Sequence, residues 1–161
     1  MNVRDQLERY AIASKPGPAR PRESAAPAPC TECEHKITVF PSHQRHGGFE
    51  LDTLGGSFRN AARTLVSGRS GEALEFSRIA FMDTETTGLS GGAGVCAFLV
   101  GIGYDSPTGF VVEQFLMNDF PAERDMLRKV CERLETFDTI ASYNGRAFDV
   151  PILEARLLLN G

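Results

Sequence analysis

Phe81-Met-Asp83-Thr-Glu85-Thr-Thr-Gly88-Leu89 is the stretch on which the fold turns. The mostly apolar run from Arg78 to Asp83 ends in a carboxylate, which suits a central strand. Residues two apart on a strand point to the same side, so Asp83 and Glu85 can face one point. Hard divalent cations such as Mg²⁺ take oxygen ligands, often one or two carboxylates together with substrate phosphate oxygens. Thr86, Thr87 and Gly88 then turn the chain where a substrate backbone could come close. Alone, Asp-x-Glu before a glycine also fits a solvated strand end.

Two further runs rich in Val, Phe, Ile and Leu follow, over 95–104 and 110–117. The turn chemistry of Asp105-Ser-Pro-Thr-Gly109 between them predicts a hairpin. Pro121 suits the first turn of a helix running to about Phe137, with Met126, Leu127, Val130 and Leu134 on one face. A short strand over 139–143 and a helix over 149–159 follow. The order is strand, strand, strand, helix, strand, helix, with no internal repeat. Cys96 and Cys131 lie in apolar runs and read as core packing.

The second motif is Ser142-Tyr-Asn144-Gly-Arg-Ala-Phe148-Asp149, at the end of that last strand and running into the last helix. A carboxylate at a helix start is stabilised by free N–H groups and can be aimed by the helix. If the two strands are neighbours, Asp149 comes opposite Asp83 and Glu85. Alone, Asp149 also fits an N-cap ahead of Pro151.

Asp83-Thr-Glu85-Thr-Thr-Gly-Leu, followed about 60 residues later by Asn144-x3-Phe148-Asp149, resembles the first two motifs of the DnaQ-like exonucleases. These are the four-carboxylate (DEDD) 3′–5′ exonucleases of the ribonuclease H-like superfamily. The wider match of Phe81 to Gly103, with Leu89-Ser-Gly-Gly-Ala-Gly94, and of Ser142 to Leu158 resembles the YprB-type branch more closely. The resemblance covers residues 78–161, about half of the chain.

It implies an α/β domain of ribonuclease H-like type. Its mixed sheet would have strands one to three antiparallel and strand four parallel to strand one, with flanking helices. It also implies hydrolysis of phosphodiesters in DNA or RNA by two Mg²⁺ or Mn²⁺ ions about 3.5–4 Å apart. In that scheme Asp83 touches both metals, Glu85 binds the metal on the nucleophile side and Asp149 binds the other. Thr86, Thr87 and Gly88 meet the terminal nucleotide, Leu89 packs on its base, Asn144 positions the Asp149 turn, and Asn144 and Phe148 belong to the substrate-binding set. The implied partner is nucleic acid, as a single strand or a 3′ end. The family's fourth carboxylate sits on a later helix, in a Tyr-x3-Asp or His-x4-Asp setting. No Asp follows Asp149 here, so the sequence reads as a fragment of a longer protein, incomplete at its C-terminus. The rival is a degenerate domain that binds nucleic acid without cutting it.

The chain has 161 residues, 17 Lys+Arg against 21 Asp+Glu and a formal charge of −4. Residues 1–80 carry 11 basic and 9 acidic side chains, and residues 81–161 carry 6 and 12. An acidic total does not exclude nucleic acid, because carboxylates that hold divalent metals present positive charge to phosphates. The longest nearly apolar stretch, Val95 to Gly103, falls short of the roughly 20 residues of a spanning helix, and no membrane partner is expected. No secretory signal is visible, and four cysteines make no disulfide scaffold, so a reducing cytoplasm is the expected location.

The front half, 1–76, reads as an accessory segment ahead of the domain over 77–161. It has a short helix over 2–13 and a proline-rich linker over 15–29 that holds five of the nine prolines. Two short strands over 36–40 and 49–51 and a helix over 54–66 follow. Cys30-x2-Cys33 and His43-x2-His46, with His35 between, could close a tetrahedral Zn²⁺ site over 30–51, as in a zinc-binding interaction protein. The gap between the pairs is short for a finger and His-x2-His is tight, so a strand and polar turn fit better. Arg59, Arg63 and Arg69 suit a solvated helix face better than a nucleic-acid patch. Gly88, Gly91, Gly92 and Gly94 lack the Gly-Lys-Ser/Thr ending of a phosphate loop. An actin-like ATPase loop would need glycine where Glu85 stands.

Overall fold

The alternation read from the sequence appears as five strands of one sheet, in a computed structural model that describes residues 28–51, 75–88 and 94–160. The expected helices over 2–13 and 54–66 and linker residues 15–27 lie outside the described residues, as do Leu89, Gly91, Gly92, Arg59, Arg63 and Arg69. In chain order the elements are β1 (Glu34–Phe40), β2 (Arg45–His46), β3 (Phe49–Glu50), β4 (Ile79–Thr86), β5 (Ala97–Ser106), β6 (Gly109–Leu116), α1 (Glu123–Leu134), β7 (Thr139–Ala141) and α2 (Asp149–Asn160). The five-stranded sheet has the order β1-β6-β5-β4-β7, while β2 and β3 form a small hairpin. β4, β5 and β6 run antiparallel and β7 pairs parallel with β4, as expected for a ribonuclease H-like sheet.

β1 departs from the expected boundary near residue 77. It is not part of a separate accessory element but the edge strand of the main sheet, antiparallel to β6 from Glu34↔Leu116 to Phe40↔Phe110. Its partner lies about 75 residues along the chain, so the proline-rich composition before it could not reveal the pairing. The β5–β6 hairpin closes on Pro107 and Thr108, with Ser106 paired to Gly109. Gly109 has φ +131°, and a Cβ there would overlap the Phe40 carbonyl, so glycine lets β1 pass close to the turn.

One face of the sheet carries the helices. Ala80, Met82, Val100, Ile102 and Phe115 pack there against Met126, Leu127 and Val130 of α1 and Leu153 of α2. α1 starts after a 3₁₀ turn, Phe120–Ala122, which Asp119 caps by accepting the Phe120 N–H at 2.8 Å. On this face buried Glu113 accepts from Tyr104 Oη at 2.7 Å and pairs with Arg133 at 2.7 Å and His35 at 2.9 Å. That carboxylate joins β1, β5, β6 and α1. Among the described residues no helix is long and apolar enough to cross a membrane.

α2 is fastened to α1 by a second buried carboxylate. Glu123, 4% exposed, receives Arg156 Nε at 2.6 Å, Arg156 Nη2 at 2.5 Å and Asn160 Nδ2 at 3.0 Å. Burial pushes the Glu123 carboxyl up, but the hydrogen bonds from Arg156 and Asn160 outweigh it and hold it below its ordinary range. Hydrogen bonds from Lys129 and Arg128 hold the Asp125 carboxyl well below its ordinary range too.

A carboxyl depressed in the folded state stabilises it above the unfolded pKa, and that contribution is lost as pH falls through the folded value. Melting temperature should therefore fall on acidification from about pH 7 to about pH 2, and Glu123→Gln should flatten that acid limb. Glu123→Ala removes the buried carboxylate that Arg156 and Asn160 hold and should cost about 3 kcal/mol in urea unfolding.

Candidate functional site

β4 sets the site. Met82 and Thr84 are buried on the helix-bearing face, while Asp83 and Glu85 are exposed on the other. The expectation that both carboxylates share one side holds. Glu85 lies inside the strand, with a register irregularity between Glu85 and Thr86. Asp83 is paired across the sheet with Gly101, so no cross-strand side chain stands beside its carboxylate.

Beyond the strand the chain turns back on itself. The Thr86 hydroxyl donates to the Gly88 carbonyl at 2.9 Å. The Thr87 amide donates to the Cys96 carbonyl at 3.0 Å, and its hydroxyl oxygen accepts the Cys96 amide at 3.2 Å. Thr86 and Thr87, the residues that the resemblance sets against the terminal nucleotide, thus use the hydroxyl of the first and the amide of the second to fix this turn.

β7 supplies the second half. Its last residue, Ala141, pairs with Phe81, so β7 stops short of Asp83. The flank of β4 left open is met by the loop over 142–148 and by the start of α2. Asn144 adopts φ +58°, a left-handed conformation that asparagine tolerates. The Asn144 carbonyl accepts from the Ala147 amide at 3.0 Å, and the Gly145 carbonyl accepts from Val150 at 2.8 Å and Phe148 at 3.3 Å. Phe148 is half-buried and Asn144 exposed.

Asp149 lies at the start of α2, as expected, and its carboxylate is bonded to Thr84, the residue between Asp83 and Glu85. Its Oδ1 accepts from Thr84 Oγ1 at 2.5 Å, and it is 3% exposed. Thr84 points to the opposite face from the two exposed carboxylates, so Asp149 meets β4 on its buried side. Among the described residues no group of three or more His, Cys, Asp and Glu side chains is placed to hold a metal ion. Oxygen donors suited to a hard cation are therefore present on Asp83 and Glu85, while Asp149 is committed to a hydroxyl.

The Cys/His candidates are not gathered either. Cys30 is exposed, and Cys33 is buried beneath α1, with its amide donating to Asp125 Oδ2 at 3.1 Å. Burial pushes the Cys33 thiol up, against the thiolate that zinc requires, although Lys129 opposes the shift. His43 and His46 sit exposed around the β2 turn, and His35 stacks on Phe115 with centroids 4.3 Å apart. Cys96 is buried, as the apolar pattern predicts, and Cys131 is half-buried.

Sequence reading passed over Thr84, the unassigned middle of Asp-x-Glu. A hydroxyl at a position that alternation assigns to the buried face was the available signal, since such a group requires a partner.

A mixed sheet with β7 parallel to β4, helices packed on one face and carboxylates displayed from β4 defines a ribonuclease H-like α/β domain. The chain belongs to the RNase_H superfamily, whose family model matches residues 80–160. Members of that superfamily are generally nucleases, hydrolases of nucleic acid that usually work with divalent metals. The chain is also 29% identical, over 125 residues, to the uncharacterized protein YprB of Bacillus subtilis (strain 168). The match covers 77% of this chain and 30% of that relative, so the chain spans less than a third of the relative's length.

Thr84→Val should remove the donor to a buried carboxylate and cost about 1–3 kcal/mol, with Thr84→Ser close to wild type in urea unfolding. Gly145→Ala should lower the melting temperature as well. Its Cβ would lie 2.6 Å from Ser142 Cβ and 3.1 Å from Asp149 Oδ2, with Ser142 Oγ nearer still.

Proposed function

We propose that this domain is a metal-dependent 3′–5′ exonuclease that hydrolyses phosphodiester bonds of DNA or RNA. The observation that carries the reading is the pair Asp83 and Glu85, exposed on one face of the strand that the superfamily match begins on. The DnaQ-like spacing of Asp149 from that pair supports the exonuclease class.

Asp83 and Glu85 would hold a hard divalent cation, Mg²⁺ or Mn²⁺, and Asp149 would serve a second once its hydrogen bond to Thr84 is exchanged. When bound, such ions activate water for in-line attack and stabilise the leaving oxygen. The chain's own contribution is to display Asp83 and Glu85 together on the exposed face of β4. A strand end would approach the exposed face of β4 that carries Asp83 and Glu85.

One observation favours a second reading, nucleic-acid binding without turnover. Asp149 is bonded to Thr84, and the described residues contain no three-membered metal-binding group. The two readings part in a simple assay. Purified protein supplied with Mg²⁺ or Mn²⁺ should shorten a 3′-accessible, 5′-labelled strand progressively, and EDTA should stop it. Asp83→Ala should slow the reaction by more than about 100-fold without changing the melting temperature. Undiminished shortening by Asp83→Ala would sink the site assignment. Binding without shortening would favour the non-cutting module.

A further inference from the structure

Tyr143 is 95% exposed, the most exposed large apolar side chain among the described residues. An aromatic ring of this size normally covers apolar surface, and full exposure leaves its whole face available to a ligand. It stands on a loop that is not loose. The left-handed turn at Asn144 and the amide hydrogen bonds onto the Asn144 and Gly145 carbonyls hold the backbone from which it projects. Three positions on, Arg146 is also exposed, with no ion pair or hydrogen bond among the described residues. Arg78, Arg128, Arg133 and Arg156 are each paired with a carboxylate, whereas Arg124 on α1 and Arg45 on β2 are, like Arg146, not in an ion pair among the described residues.

The position of the loop says what would meet these groups. It leaves β7 at Ala141, paired with Phe81, two residues short of Asp83 on the neighbouring strand. It ends at Asp149, bonded to Thr84. The loop that carries this aromatic face and this guanidinium therefore leaves the sheet two residues short of Asp83 and returns at Thr84. Carboxylates alone repel phosphate, so a strand end held there needs a second attachment that does not depend on metal.

We propose that the loop over 142–148 is a single-strand clamp, in which Tyr143 stacks on an unpaired base and Arg146 neutralises a phosphate of the same strand. The inference rests on the nuclease reading and deepens it, because it names the substrate class as unpaired ends. A base in a duplex has both faces covered by its neighbours and offers no face to Tyr143. Every base has a π-face, so the clamp is tolerant of sequence. The guanidinium adds a salt-dependent term.

The test measures binding in EDTA, where cleavage is silent, by fluorescence anisotropy with a labelled oligothymidylate of about 12 nucleotides and with a blunt duplex. Tyr143→Ala should weaken binding of the single strand about 10-fold, while Tyr143→Phe keeps it, because the ring and not the hydroxyl stacks. Duplex binding should be unmoved by either change. Arg146→Ala should reduce the slope of log affinity against log salt by about one. Both side chains are exposed, so an unchanged melting temperature excludes misfolding as the cause. Equal single-strand affinity for Tyr143→Ala and wild type overturns the clamp, as does an equal loss on duplex. Either result leaves metal-dependent shortening and its dependence on Asp83 standing. Failure of wild type to bind the single strand in EDTA overturns the clamp, while the nuclease reading stands or falls on shortening with Mg²⁺ or Mn²⁺.

Discussion

Ala80, Met82 and Thr84 point to the helix-bearing face of the sheet and Phe81, Asp83 and Glu85 to the other, and the remaining elements answer to this two-residue period on β4. A shift of one residue would bury two carboxylates without partners and expose Met82 to water. Neither is tolerable when buried charge costs several kcal/mol. The same period selects Gly101 and Gly103 as the residues facing Asp83 and Phe81 across β5. At Gly103 the missing side chain leaves room for the Phe110 ring, which lies 6.0 Å from that of Phe81.

Two buried carboxylates then fix what surrounds β4. Glu113 gathers Tyr104, Arg133 and His35, which sets the edge strand and α1 against the sheet. Glu123 gathers Arg156 and Asn160, which sets α2 against α1. Such pairs contribute little net stability compared with apolar replacements, yet removing one partner is expensive. Their effect here is geometric. They hold the helix whose first residue is Asp149 at the level where β7 has ended and the flank of β4 is open.

The strands and helices from Arg78 onward were legible because their patterns are local. Apolar runs marked β4, β5 and β6, turn chemistry marked the β5–β6 hairpin, and the spacing of Met126, Leu127 and Val130 marked α1. The pairing of β1 was not legible, since it depends on a partner on the far side of the hairpin. The Cys30, Cys33, His43 and His46 spacing looked like a ligand set, but Cys33 is drawn under α1 by apolar packing while His43, ahead of β2, and His46, within it, stay exposed. Spacing along a chain cannot report which side chains the core will claim.

The sequence by itself determined that Asp83 and Glu85 share a face and that Asp149 opens a helix. Both follow from backbone periodicity and helix-start chemistry, which act over a few residues. Only the tertiary structure decided that β7 stops at Ala141, that Asp149 meets Thr84 rather than Asp83, and that Tyr143 stands free in water. Those outcomes depend on how far two strands run side by side and on which buried hydroxyl needs a partner. Contacts between residues about 65 positions apart set both.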